Sequence, residues 1–278
     1  MVRCRCGLVF QDPQPDDETL MNSYYHDQGF SDSLLGELRT ITLRNAREKL
    51  ARLRVADALA PGIRVLDVGA SSGAWLEVAQ GAGMQATGVE LGEATAASAR
   101  ARGLDVRTGT LEQALPGLEG ERFDLITFWD VLEHLRDPRH ELALAQRLLV
   151  PGGRVAASFP NVEGLYPRLT YRLLARRTGV WEYPELPVHL YDFAPRTARR
   201  LLERLGYAVD RIKSFGTPYG FYRSTSLSPE RTGPGLRGRA LRAAFEALHL
   251  TAYPIARLTD RGNALFVLAS AASTPGDG

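Results

Sequence analysis

The sequence predicts an α/β fold: an open, mostly parallel sheet with helices on both faces. Three observations carry that reading. Short apolar runs of strand length, IRVLDV (63–68), QATGVE (85–90), LDVRT (104–108), FDLITF (123–128) and GRVAASF (153–159), follow one another closely. Helix-length segments at 73–81, 93–102 and 139–149 separate most of them, and strands that alternate with helices become parallel neighbours, because a parallel pair needs a crossover. The first run also ends in a turn of small residues, Gly69-Ala70-Ser71-Ser72-Gly73, directly ahead of a helix. In open α/β sheets ligands bind at such carboxyl ends of strands.

The remaining elements follow in order. Residues 1–30 read as irregular, with Pro13, Pro15, Gly29 and several aspartates. Residues 33–60 read as a helix, since Leu43, Ala46, Leu50 and Leu53 recur at helical spacing and Pro61-Gly62 stops the run. After Pro160, residues 161–193 hold aromatics, prolines and arginines without a clean period and read as an insertion over one end of the sheet. FAPRTARRLLERLGY (193–207) is a helix with Pro195 near its start and Gly206 past its end. YAVDRIKS (207–214) and ALFVLAS (264–270) are two further strands, and LRGRALRAAFEALHL (236–250) places a helix in the long gap between them. The expected organisation is an irregular N-terminal segment, 1–32, and one domain, 33–272, with insertions at about 161–193 and 216–262.

Composition agrees with one principal core. Of 278 residues, 44% are hydrophobic and 24% charged, which excludes disorder, collagen and coiled coil as the main character. Lys and Arg number 34 against 32 Asp and Glu, so no global field calls for nucleic acid or a membrane surface. Lys49 and Lys213 are the only lysines, and scattered arginines in so biased a chain say little about an anionic partner. No 18-residue apolar run is present, so no integral membrane segment is expected. The N-terminus is too short and polar for a leader, and the chain reads as cytoplasmic. Cys4 and Cys6 cannot build a disulfide framework.

The turn after the first strand carries the chemistry. Small residues let a ligand approach the backbone, and the following helix offers unpaired N–H groups. Glu90 closes the next strand 21 residues after Gly69, where a carboxylate can accept from both hydroxyls of a ribose. A tight turn without ligand and a solvated glutamate are the plain alternatives. Adenosine is common to NAD and S-adenosyl-L-methionine (SAM). The turn is Gly-x-x-x-Gly rather than Gly-x-Gly-x-x-Gly, with Ser71 at the middle glycine, which weakens a pyrophosphate site. Asp67 adds a carboxylate that suits the ammonium and sulfonium of SAM.

With these residues in place the sequence resembles the class I SAM-dependent methyltransferases. The resemblance spans roughly 60–215 and the final strand, and rests on VLDVGASSGAWL (65–76), GVEL, TGTLEQA (108–114), FDLITFWDVLEHLRDP (123–138), LVPGGRV (149–155), SFPN (158–161) and HLYDFAPRTARRLLERLGY (189–207), in that order and spacing. It implies a Rossmann-like seven-stranded sheet in the order 3-2-1-4-5-7-6, the seventh strand antiparallel. It implies SAM as cofactor and a small-molecule, sugar or glycan acceptor, O-methylation first. By position it places Asp67, Gly69, Ser71 and Gly73 along the methionine and ribose of SAM, Glu90 on the ribose hydroxyls and Leu91 against adenine. Thr110 and Leu111 stand where many relatives carry an acidic residue at the adenine amino group, and this departure leaves that contact to backbone groups. Trp129 and Asp130 are implied to flank the methionine moiety.

Methyl transfer asks the protein for an aligned nucleophile and, for some acceptors, a base. His134, in VLEHL at the expected start of the helix after the fourth strand, resembles a widespread family position that orients or deprotonates substrate; packing on the Asp137-Pro138 turn is the structural alternative. His189, in HLYDF, resembles a segment that closes over the substrate, and near an ordinary pKa of about 6.5 it would take a hydroxyl proton at neutral pH. His26, His140 and His249 read as surface or packing residues. Arg168, Arg172, Arg176 and Arg177 read as a solvated helix face, with a grip on an acceptor phosphate or carboxylate as the sharper alternative. CRCGLVFQDPQP resembles the second half of a small zinc ribbon that precedes the catalytic domain in some sugar and small-molecule methyltransferases. Structural zinc needs four ligands, so no metal is expected, and either the ribbon has decayed or the sequence as given starts late. Two other functions compete: a nicotinamide-dependent oxidoreductase, disfavoured by Asp67 and the glycine pattern, and a non-catalytic SAM-binding module. The oligomeric state is not legible.

Overall fold

The computed structural model describes residues 1–26, 32–181, 183–216, 232–233 and 235–271, with side chains for all of these but 23–26 and 32–38. In chain order the elements are β1 (Val2–Arg3), β2 (Val9–Phe10), α1 (Asp17–His26), α2 (Asp32–Val55), β3 (Arg64–Val68), α3 (Ala74–Gly81), β4 (Gln85–Glu90), α4 (Glu93–Ala101), β5 (Asp105–Thr108) and α5 (Leu111–Ala114). Then come β6 (Phe123–Trp129), α6 (Pro138–Leu148), β7 (Leu149–Pro160), α7 (Leu165–Thr170), α8 (Arg176–Thr178), β8 (Tyr191–Asp192), α9 (Pro195–Arg204), β9 (Tyr207–Phe215), α10 (Gly235–Thr259) and β10 (Ala264–Ala271).

Seven strands form the central sheet in the order β5-β4-β3-β6-β7-β10-β9. Numbered among themselves along the chain, they stand 3-2-1-4-5-7-6. The β3, β4, β5, β6 and β7 pairings are parallel, whereas β10 runs antiparallel to both β7 and β9. This is the mixed sheet that the alternation and the resemblance predict.

Side-chain alternation along the strands feeds two cores. Leu66, Val68, Ile126 and Phe128 pack with Leu142, Leu148 and Leu202 on the α6 and α9 face. Val65, Leu125 and Phe266 pack with Leu50, Leu53, Leu76 and Ala96 on the α2, α3 and α4 face. Central strands therefore bury both sides, which explains why apolar neighbours such as Val65-Leu66 and Leu125-Ile126 stand side by side in them. Helix starts follow local chemistry. Asp137 caps α6 by accepting from the backbone N–H of Arg139 at 3.0 Å and of His140 at 3.1 Å, with Pro138 opening the helix.

Three expectations change. Residues 1–30 are not featureless: β1 and β2 form a hairpin, and β2 pairs antiparallel with β8, Val9 opposite Asp192 and Phe10 opposite Tyr191. Strands of two residues carry no readable period. The helix expected at 236–250 runs to Thr259, because its buried stripe continues through Ala252 and Ala256. His134 does not begin a helix. It lies in a turn, its N–H bonded to the Val131 carbonyl at 2.9 Å, since the Asp137 cap and Pro138 set the helix start later. Part of the second expected insertion, 217–231, and the final STPGDG lie outside the described residues.

Candidate active site

The loops at the carboxyl ends of β3, β4, β5 and β6 enclose a cavity of about 590 Å³. Gly69 and Val68, Glu90 and Leu91, and Gly109, Thr110 and Leu111 line one side, with Val131, His134 and Leu135 on another. Leu91 is 46% exposed, unusual for a leucine beside a core, and faces this space.

The β3 turn is built by backbone geometry. Gly69 has φ +76° and Ser71 φ +48°. A Cβ on Gly69 would collide with Cγ2 of Val131, so only glycine fits there. Glu90 is buried at the end of β4, where one carboxylate oxygen accepts from the Ser71 N–H and the other from the Gly92 N–H, each at 2.8 Å. These bonds fix the carboxylate at the cavity wall, and each oxygen keeps a second lone pair. That donor set fits a ribose diol.

The other expected cofactor residues are placed unevenly. Gly73 caps α3 with φ +80°, and a Cβ there would strike Leu104, so the start of α3 packs closely on the turn that leads into β5. Thr110 lines the cavity, but its hydroxyl is committed to a capping box with Gln113. Leu111 lines the cavity from α5 and is 1% exposed. Trp129 points to the α2 face, edge-on to Trp75 at 5.4 Å and stacked on Phe266 at 6.3 Å. Asp130, φ +59°, accepts from Ser158 Oγ at 3.0 Å and pairs with Lys49 at 3.2 Å. Asp67 is 2% exposed and accepts from Thr127 Oγ1 at 2.6 Å. Burial pushes its carboxyl up to about 7, against the Thr127 bond and the Lys49 charge that favour ionisation.

The two candidate histidines, distant in sequence, meet. Their ring centroids lie 4.8 Å apart, nearly perpendicular. His134 Nδ1 donates to the Val188 carbonyl at 3.0 Å, which makes Nε2 the acceptor nitrogen of the neutral ring. His189 is 6% exposed, with Nε2 3.6 Å from the Glu185 carboxylate and Nδ1 buried without a partner among the described residues. The expectation of an ordinary pKa at His189 fails: burial pushes it down to about 4. Burial, then the His189 ring, does the same to His134. Both rings are therefore neutral at pH 7.

Several site residues were missed in the sequence. Glu133 is 1% exposed and neither carboxylate oxygen has a partner among the described residues; burial and then Asp130 raise its pKa well above the ordinary range. Ligand atoms of Glu133, His134 and His189 all lie within 4.8 Å of one another, a donor set able to hold a divalent cation. The expectation of no metal weighed only the cysteines. Asp192, 0% exposed, is likewise raised to about 7, by burial first and Glu185 second. Asp17, Leu20 and Met21 of α1 and His140 of α6 also line the cavity. Arg136 holds α1 there, its guanidinium 2.6 Å from Asp17 and 2.7 Å from the Pro15 carbonyl. His249 is a core residue, edge-on to Tyr166 at 4.8 Å. Arg168, Arg172, Arg176 and Arg177 are exposed, as a solvated face would be.

A doubly wound sheet with a small-residue turn after its first strand and an acid closing the second defines a nucleoside-cofactor-binding α/β domain. The methyltransferase-domain family matches residues 39–212, and the chain belongs to it. It is a class I SAM-dependent methyltransferase domain, whose cofactor is SAM; the nicotinamide alternative is thereby set aside. Among curated proteins it is similar to the ubiquinone biosynthesis O-methyltransferase of Hahella chejuensis, 39% identical over 110 residues, 37% of this chain and 46% of that protein. The chain thus spans about half the length of the curated relatives it matches. Among solved structures it shares its fold with a SAM-dependent methyltransferase from Archaeoglobus fulgidus, at 19% identity and TM-score 0.50, over 92% of this chain and 100% of that one. It also shares it with magnesium protoporphyrin IX methyltransferase from Synechocystis with bound S-adenosylhomocysteine (SAH), at 16% identity and TM-score 0.54, over 91% and 99%. No described helix is long and apolar enough to cross a membrane.

Proposed function

We propose that the protein transfers a methyl group to a hydroxyl oxygen of a small-molecule acceptor, with phenols, sugars and glycan fragments as the acceptors to test. The observation that carries this is that His134 lines the same cavity as Gly69 and Glu90, with His189 packed against it. SAM, when bound, supplies a methyl carbon on a positively charged sulfur. Glu90 and the Gly69–Ser71 turn would hold its ribose, and Leu20, Leu91 and Leu111 would give its adenine an apolar wall. An acceptor hydroxyl presented at the β6 end would give its proton to an imidazole nitrogen, which passes it to solvent, and the carbon–oxygen bond formed would be balanced by loss of the carbon–sulfur bond and departure of neutral SAH. The neutral state of both rings keeps a nitrogen lone pair for this transfer. The name of the Hahella relative, an O-methyltransferase, supports oxygen as the atom methylated. Exposed Cys4 suits a reducing, cytoplasmic setting.

A second reading of the histidine pair rests on Glu133. A divalent cation held by Glu133, His134 and His189 would lower the pKa of a bound hydroxyl, in place of a histidine base. One set of measurements separates the readings. Labelled-methyl transfer from SAM to catechol or to monosaccharides is followed with wild type, His134→Ala and His189→Ala, before and after chelator dialysis. A histidine base predicts a 10²–10⁴-fold loss in turnover on at least one of the two substitutions with SAM affinity unchanged, and activity indifferent to chelator. Loss on dialysis and recovery with Mg²⁺ or Zn²⁺ supports the metal instead. SAM binding without transfer to any hydroxyl acceptor would leave a non-catalytic SAM-binding module.

A further inference from the structure

A second cavity, about 650 Å³, lies between α2, β9 and α10. Its lining is unlike the first. Arg52 from α2, Arg211 and Lys213 from β9 and Arg257 from α10 all face it, against the single carboxylate of Glu48. Phe215, Tyr253 and Phe266 supply its apolar walls.

Edge strands often carry cations to block unwanted pairing, and β9 is an edge strand, so Arg211 and Lys213 alone would need no ligand. That account does not reach Arg52 and Arg257, which arrive from two different helices. The Arg52 guanidinium sits 3.7 Å above the Phe215 ring and the Arg257 guanidinium 5.9 Å from the Tyr253 ring. Each is thus held by an aromatic face with its N–H edges left for another partner. Compensation is sparse. Arg52 lies 3.5 Å from Glu48 and Lys213 3.5 Å from Asp260, while Arg211 and Arg257 have no carboxylate within 4.0 Å among the described residues. The cavity also adjoins the reacting end of the sheet: its wall residue Phe266 stacks on Trp129, the residue before Asp130.

We propose that this cavity binds an organic anion, a carboxylate or phosphate carried on an apolar body. The guanidinium groups would take the anionic head in charge-assisted, forked hydrogen bonds, and the Phe215, Tyr253 and Phe266 rings would cover the body. This site is separate from the Gly69–Glu90 cavity and does not depend on which acceptor the enzyme methylates.

Isothermal titration of the whole chain with benzoate, phenyl phosphate and neutral benzyl alcohol tests it, with SAH affinity and Tm measured on each variant. Saturable one-to-one binding of at least one anion is expected, weaker at higher salt, with benzyl alcohol bound about tenfold or more weakly. Arg211→Gln and Arg257→Gln should each weaken the anion roughly tenfold, while SAH affinity and Tm stay at wild-type values. The stronger of the two anions identifies the head group. No saturable anion binding up to about 10 mM, wild-type anion affinity in both variants, or displacement of the anion by SAH would each overturn the proposal.

Discussion

Glu90→Gln is the substitution whose consequences the structure defines best. The glutamine has nearly the same shape, so the cavity wall stays. The carboxylate now accepts from Ser71 N–H and Gly92 N–H at 2.8 Å each, one bond per oxygen. An amide offers one oxygen and one NH₂, so one of those two backbone donors must face another donor. Ser71 is exposed and can turn to water, which limits the stability cost to about 1 kcal/mol. For the cofactor the loss is larger. One ribose hydroxyl gives up a charge-assisted bond worth roughly 1.5–3 kcal/mol, or about 10- to 150-fold in Kd. Titration with SAH and with its 2′-deoxy analogue, on wild type and variant, makes a double-mutant cycle. The analogue should bind wild type more weakly and lose little more on Glu90→Gln. If the two losses simply add, or if SAH affinity is unchanged, Glu90 does not hold the ribose and the site assignment is wrong.

Asp67→Asn should stabilise the protein in a pH-dependent way. The native pKa of about 7 lies above the ordinary 3.8, so the stabilisation from protonation is complete below 3.8 and lost as pH rises through 7, about 3 units or at most roughly 4 kcal/mol. The variant's gain over wild type in urea unfolding should grow between those pH values and level off above; an equal gain at pH 4 and pH 8 would refute it. Arg136→Ala releases the contacts to Asp17 and Pro15, so limited proteolysis should cut the first 26 residues faster and SAH affinity should fall a few-fold, the exposed pair being worth about 1 kcal/mol or less. Wild-type protease resistance would show that Arg136 does not hold α1. Replacing Cys4 and Cys6 together by serine should leave Tm, SAH affinity and metal content unaltered, because two thiols cannot close a tetrahedral site. A zinc ion lost with the cysteines would reverse that conclusion.

The strand order of the sheet and the small-residue turn after its first strand were legible in the chain alone. Strands β3 and β6 feed both cores, so apolar residues stand at successive positions along them; the Gly69–Gly73 turn and Glu90 are local features whose spacing survives in one dimension. What meets at the carboxyl edge was not legible there, because folding alone assembles it. The crossover geometry brings Val188 and His189 back onto the β6 turn, where His134 and Glu133 wait, and no period in the chain records that approach. The same holds for the two-residue strand β2, which gains its partner β8 only through folding, and for α1, whose Leu20 and Met21 become cavity wall because Arg136 anchors them. Protonation is likewise a tertiary property. His189 was expected to titrate near its ordinary value, yet burial lowers it to about 4, because desolvation depends on every neighbour the fold assembles and residue type fixes only the starting point.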